Sequence, residues 1–127
     1  MGYPTQFRYS KEHEWIDLAG DRAKLGITEH AQSELGDVVF VELPAVGTEF
    51  KQGDTLGTVE SVKAVSDIYA PVGGKVVEVN SDLEASPETI NQDPHGTGWL
   101  IVLQLTDPGE ADALLDAAAY EKFVNEE

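Results

Sequence analysis

No cysteine occurs among the 127 residues, which removes disulfides, thiolate metal sites and any thiol nucleophile belonging to the polypeptide itself. Redox chemistry, where this chain takes part in it, has to be imported. Positive charge is scarce too: 8 Lys and Arg against 24 Asp and Glu leave a formal charge of −16. Such a charge repels phosphate backbones and anionic lipid, which excludes nucleic-acid or membrane-surface binding as the main business. Long apolar runs are missing as well. Trp99-Leu100-Ile101-Val102-Leu103 is far shorter than a membrane span, and no basic segment leads into an apolar one at the N-terminus. These absences predict a soluble intracellular protein with partners that offer basic or neutral surfaces.

What is present is globular in character. Apolar residues make up 41% of the chain, with two Trp, four Tyr and four Phe, and a chain of this length can bury roughly two thirds of its surface in one ordinary core. Residues Phe7 to Leu25 mix aromatic and β-branched residues around Gly20-Asp21, which predicts two strands and a turn. Thr28 stands as an N-cap before Glu29 to Leu35, with Gly36 where a left-handed C-cap falls, so a short helix is expected there. Val38 to Leu43 stops at Pro44, and Gly47, Gly53, Gly57 and Gly73-Gly74 punctuate short β-rich stretches through Val79, the pattern of a small barrel or sandwich. A faint echo of Gly36-Asp37-Val38-Val39 in Gly53-Asp54-Thr55-Leu56 hints at two similar halves.

Residues Ser81 to Gly98, rich in Ser, Pro, Asn, Asp and Gly, are expected to form a surface excursion with one helical turn near Leu83, returning into a strand over Trp99 to Leu105. Asp107, Pro108 and Glu110 read as N-cap, N1 proline and reciprocal N3 acid of a helix start. Leu114, Leu115, Ala118, Tyr120, Phe123 and Val124 then supply an apolar stripe for one or two closing helices, with a break at Asp116, and Glu126-Glu127 reads as a solvated tail. A single domain over 1–127 is expected, with a β-core at about 24–106 and a helical segment at about 108–125.

Enzyme signatures fail one after another. Gly73-Gly74-Lys75 lacks the earlier glycine of a phosphate loop, His13-Glu14 lacks the second histidine of a zinc-hydrolase helix, and His13, His30 and His95 lie far apart, so surface polar contacts are expected of them rather than a metal or a triad. One segment resists a bland reading. Folding Val59 to Ile68 about Lys63-Ala64 pairs Val62 with Val65, Ser61 with Ser66, Glu60 with Asp67 and Val59 with Ile68, the register of a hairpin with lysine at its tip. Lys-Ala is an odd tight turn, which calls for another turn type or a slight distortion. The tip lysine is either an amine offered for acylation or an edge charge that guards against aggregation.

The chain resembles the glycine cleavage H-protein family of lipoyl carriers from about Phe7 to Val124. The resemblance is carried by His13-Glu14-Trp15, Gly26-Ile27-Thr28 with Ala31-Gln32 and Leu35-Gly36-Asp37, and Val39 to Pro44. Further support comes from Glu60-Ser61-Val62-Lys63-Ala64 with Ser66 to Pro71, and from Asn91 with Asp93-Pro94 and Gly98-Trp99. It implies a mainly β fold with short helices, a lipoyl-type flattened barrel or barrel-sandwich hybrid with an N-terminal extension and a C-terminal helix. The implied cofactor is lipoate on Lys63, framed by Glu60, Ser61, Val62, Ala64 and Ser66, and the implied contacts for the loaded arm are Glu14 and Asp67. Carboxylates there suit a protonated amine.

The implied role is non-catalytic, with no catalytic residue and no metal: the arm takes an aminomethyl group from glycine decarboxylase, a pyridoxal-phosphate enzyme (P protein), to the tetrahydrofolate-dependent aminomethyltransferase (T protein), and dihydrolipoyl dehydrogenase (L protein) reoxidises it. A lipoate ligase or octanoyltransferase would load it, and a monomer is expected. His95, Lys75 and Val102 depart from the family's usual residues there, which bears on partner docking. Rival readings are another lipoyl or biotinyl carrier domain, against which Val62-Lys63-Ala64 differs from a biotin carrier's Met-Lys-Met, and an H-like adaptor or lipoate donor. Without an Arg-rich leader after Met1, bacterial cytoplasm is the expected address, or the mitochondrial matrix for a trimmed form.

Overall fold

The computed structural model describes residues 3–126; Glu127 of the acidic tail lies outside them, and Glu126 is exposed. β1 (Phe7–Tyr9), β2 (Glu14–Ala19) and β3 (Arg22–Ile27) form an antiparallel meander in which Ala19 pairs with Arg22. That leaves Gly20-Asp21 as the two-residue turn the sequence predicts, and Gly20 takes φ +66°, a left-handed geometry that suits a residue without Cβ. β3 continues onto β9 (Ile101–Leu105), then β8 (Gly74–Val79) and β5 (Glu49–Phe50), giving a six-stranded sheet in the order β1-β2-β3-β9-β8-β5. A second, three-stranded sheet pairs β4 (Val38–Glu42), β6 (Thr55–Ser61) and β7 (Val65–Tyr69) in that order.

Alternation along these strands makes the core. Ile16, Leu25, Val76 and Leu103 from the larger sheet and Val59 and Ile68 from the smaller one belong to one buried cluster, held by the apolar area each strand removes from water. Helix α1 (Glu29–Leu35) begins where Thr28 Oγ1 accepts the Ala31 N–H and ends at Gly36, φ +80°. Gly53 also has positive φ, +92°, and each glycine precedes a strand by two residues, but Gly36 caps a helix and bonds back to Gln32 O while Gly53 donates to Ala70 O, so the sequence echo does not mark a repeated unit.

Two expectations need correction here. The stretch Ser81 to Gly98 is largely exposed and holds the expected helical turn, α2 (Asp82–Ala85), but it has a second one, α3 (Thr89–Gln92), and is anchored to the core, because Leu83 and Ile90 are fully buried. Composition obscured this because Leu83, Ile90 and Pro94 turn inward singly while polar residues such as Asn91 and Asp93 satisfy backbone groups. The helix start at Asp107 exists, as a 3-10 helix over Pro108–Ala113 with Asp107 Oδ1 accepting the Gly109 N–H. Its N3 acid does not reach back to the cap, however: Glu110 Oε1 accepts the Gly73 N–H at 2.8 Å, tying the helix to the sheet instead. Asp116 does break the closing segment, capping α4 (Ala117–Asn125) through the Ala119 N–H.

The motif residues Trp15, Gly26 and Pro94 meet in a second cluster. The Trp15 indole stacks on Phe7 at 4.4 Å and donates Nε1–H to Ile27 O at 3.0 Å and Pro94 O at 2.9 Å. It lies flat on Gly26, where a Cβ would stand 2.6 Å from the ring. Their spacing in the sequence therefore serves packing, not chemistry.

Candidate functional site

β6 and β7 form the hairpin that carries Lys63, with a register two residues away from the one expected. Glu60 pairs with Val65, Val59 with Ser66 and Thr58 with Asp67, so Val62-Lys63, not Lys63-Ala64, is the central pair. A shift of two keeps every side chain on its expected face. The cause is Ser61. Its N–H donates to Ala64 O at 2.8 Å, and its Oγ accepts the N–H groups of Lys63 and Ala64 at 3.3 and 3.0 Å. The serine hydroxyl thus does locally what glycine or asparagine does in common tight turns. Palindromic residue types could not distinguish the two registers; the serine two residues before the lysine could have.

Lys63 is exposed at this tip, and the tip is braced from beneath. The Val62 N–H donates to Asp37 O at 3.0 Å, and the lysine stem runs over Gly36, with Cε 3.4 Å from where a Cβ on that glycine would stand. Around it the outer face is apolar. Val39, Phe40, Val62 and Val65 are 48%, 52%, 68% and 65% exposed, and the irregularity in pairing between Val38 and Phe40 turns two consecutive β4 side chains outward. Glu60 pairs with both Phe40 and Val65 across this face. A rigid, solvent-facing amine collared by apolar groups and acids can be approached by another macromolecule without local unfolding.

Beside the tip lies a cleft of about 450 Å³ between α1, the start of β2 and the hairpin, lined in part by Glu12, Glu14, Glu34, Ala64 and Asp67. Acidic side chains from every side of the cleft favour a cationic guest. Glu14 is 2% exposed, its Oε1 accepting the Ser10 hydroxyl at 2.6 Å and its Oε2 accepting the Tyr69 N–H at 3.1 Å. Burial outweighs those two hydrogen bonds and pushes its carboxyl up to about 7. Asp67 is exposed, paired with Thr58 on the rim. The structure thus sets Glu14 and Asp67 in one cleft together with Ala64, Val65 and Ser66, the hairpin residues that follow Lys63.

The histidines depart from the reading as dispersed surface groups. His13, at φ +70°, sets Nδ1 2.8 Å from the Tyr120 hydroxyl, which is 2.7 Å from Thr28 Oγ1, and its ring centroid lies 4.5 Å from that of His30. His95 Nε2 accepts the Glu29 N–H at 3.1 Å, and burial lowers its pKa. Among the described residues no group of three or more His, Asp or Glu is placed to hold a metal, and no helix is long and apolar enough to cross a membrane. Lys75 is exposed on β8, whereas Val102 is only 8% exposed and pairs with Lys24. That valine contributes packing rather than a docking group.

Two antiparallel sheets, a hairpin-borne lysine and an adjoining acidic cleft define a carrier domain of the swinging-arm class, within the barrel-sandwich hybrids. A family model described as glycine cleavage H-protein matches residues 7–127. A glycine cleavage system H protein of Symbiobacterium thermophilum is 61% identical over 97% of this chain and 96% of its own length. One of Bacillus licheniformis is 53% identical over the full length of both. The crystal structure of a glycine cleavage system H protein from Mycobacterium marinum superposes with a TM-score of 0.87 at 42% identity, covering 98% of each chain. The chain belongs to the glycine cleavage H-protein family, the non-catalytic, lipoyl-bearing carriers of the aminomethyl group.

Proposed function

We propose that Lys63 is the residue that bears the lipoyl group and that the acidic cleft beside it shelters the loaded arm. The observation that carries this reading is the tip itself: an exposed amine on a two-residue turn that Ser61 and Asp37 hold in one conformation. When attached, lipoate supplies the dithiolane sulfur that a chain without cysteine lacks. The polypeptide's share is to present, release and protect. Glu60, Ser61, Val62, Ala64 and Ser66 frame the lysine, and tethering turns diffusion of the cargo into a high local concentration at each docked enzyme.

Glu14 and Asp67 serve a second purpose in this reading. An aminomethyl group is cationic when protonated, and a protonated guest near the cleft wall draws the Glu14 carboxyl toward its ionised form through a charge-assisted contact. Shielding from water slows loss of the cargo. The successive partners are the decarboxylase, the aminomethyltransferase and the dihydrolipoyl dehydrogenase of the system, with a lipoate ligase or octanoyltransferase loading a monomeric carrier in the bacterial cytoplasm. The acidic collar around the tip suits basic rims on those enzymes.

The test gives the purified chain lipoate ligase, lipoate and ATP, then reconstitutes glycine decarboxylation. Wild type gains the mass of one lipoyl group and supports turnover, while Lys63→Arg does neither; activity in the arginine variant discards the assignment. Neutralising Glu14 and Asp67 together shortens retention of the aminomethyl group and leaves lipoylation intact, and an unchanged retention time removes both from the site.

A further inference from the structure

Asn91 belongs to a sequence motif that carrier function leaves unexplained, since it sits on α3, outside the hairpin and the cleft lining. We propose that Asn91 is a positioning residue for the acceptor amine, clamping the loop 36–38 on which the Lys63 tip rests. The proposal builds on the assignment of Lys63 as the acylated residue.

The clamp is visible in three contacts. Asn91 Oδ1 accepts the Val38 N–H at 2.8 Å, and its Nδ2 donates to Gly36 O at 2.8 Å and to Gln32 Oε1 at 3.0 Å. One amide therefore grips the backbone on both sides of Asp37. Asp37 in turn offers its carbonyl to the Val62 N–H, and Gly36 forms the floor under the lysine stem. The grip is needed because Gly36 has φ +80° and ψ −157°, a region that is essentially glycine's alone, and glycine has the most backbone freedom to lose.

The chemistry of the side chain fits the task. A primary amide is donor and acceptor at once, matching one carbonyl and one N–H; a carboxylate would face the Gly36 carbonyl with a second acceptor. The base of the clamp is firm, because the preceding Ile90 is fully buried in the main core. A continuous path thus runs from core to α3, to the loop, to the tip. Releasing it leaves both sheets paired but spreads the tip over several shapes. If an acylating enzyme engages only one of them, its apparent affinity falls by the fraction populated while turnover of the bound complex stays the same.

The experiment compares Asn91→Ala with Asn80→Ala. Asn80 donates Nδ2 to Thr97 O and Trp99 O at 2.9 and 2.8 Å, so its loss removes similar hydrogen bonds without touching the loop. Two quantities are read on the unmodified full chain: amide hydrogen exchange at Val62, and KM and kcat for acylation by lipoate ligase with lipoate and MgATP. In Asn91→Ala, Val62 exchanges at least about tenfold faster and KM rises about tenfold at constant kcat, while Asn80→Ala moves neither. Wild-type Val62 protection and KM in Asn91→Ala, or the same shifts in Asn80→Ala, overturn the proposal. Asn91→Asp keeps the acceptor for Val38 and loses the donor to Gly36; it shifts both readouts in the same direction and serves if the alanine variant does not fold. Acylation that survives Lys63→Arg sinks the acceptor assignment alone, because exchange at Val62 reports the clamp with no acyl group present.

Discussion

Glu14→Gln offers the most direct measurement of the buried carboxyl beside the arm. Glu14 ionises near 4.5 in the unfolded chain and near 7 in the native one, because desolvation outweighs the Ser10 and Tyr69 hydrogen bonds. The folded state therefore keeps a proton that the unfolded state gives up between those values. The stability due to this group is complete below about pH 4.5 and is lost as pH rises through about 7. A gap of roughly two and a half units corresponds to about 3 kcal/mol lost across that window. Glutamine is isosteric and neutral: its oxygen can accept the Tyr69 N–H while its amide donates to Ser10 Oγ, which must then turn its own hydroxyl proton away from residue 14, a cost that is the same at both pH values. Urea unfolding followed by Trp fluorescence at pH 5 and pH 8, in moderate salt, reads the difference. All other acids are common to both proteins and cancel. Because the unfolded carboxyl is already mostly ionised at pH 5, about 1 kcal/mol of the loss has occurred there, and the variant's advantage should grow by about 2 kcal/mol more between pH 5 and pH 8, a further shift of about 1–2 M urea. A gap of equal size at both pH values, or a less stable variant at pH 8, would refute the claim that burial governs this carboxyl. The same unfavourable burial is what a cationic guest in the cleft would relieve.

Gly26→Ala should destabilise the protein by about 1–3 kcal/mol and perturb Trp15 emission, because the new methyl meets the indole ring at 2.6 Å and Trp15 is held by two carbonyls; a thermal melt unchanged from wild type would contradict that packing. Ser61→Ala removes the acceptor shared by the Lys63 and Ala64 N–H groups. It should cost about 1 kcal/mol and slow acylation at Lys63, measured by denaturant midpoint and mass gain, more than Ser66→Ala does.

Much of the fold follows from local residue order. Gly20-Asp21 sets a two-residue hairpin, Thr28 and Gly36 bound α1, and Asp107-Pro108 and Asp116 start the closing helices. Each depends on contacts within a few residues, which short-range chemistry specifies. The location of Lys63 on a turn is legible for the same reason, although the Ser61 bond moves the register by two residues. The anchoring of residues Ser81 to Gly98 was legible only as a turn near Leu83, because Leu83, Ile90 and Pro94 stand singly in a polar segment and carry no clear periodicity.

By itself the sequence determined the strand-rich class, the want of any thiol of its own, a lysine on a hairpin turn and the caps, since each resides in composition or in neighbours along the chain. Only tertiary structure decided that Glu14 is dry and shares a cleft with Asp67, that Glu110 serves Gly73 and not its own helix, and that Asn91 grips the loop beneath the tip. Those facts depend on which water-filled space folding closes and which distant backbone groups come within hydrogen-bond reach. Neither is encoded by residue type at a single position.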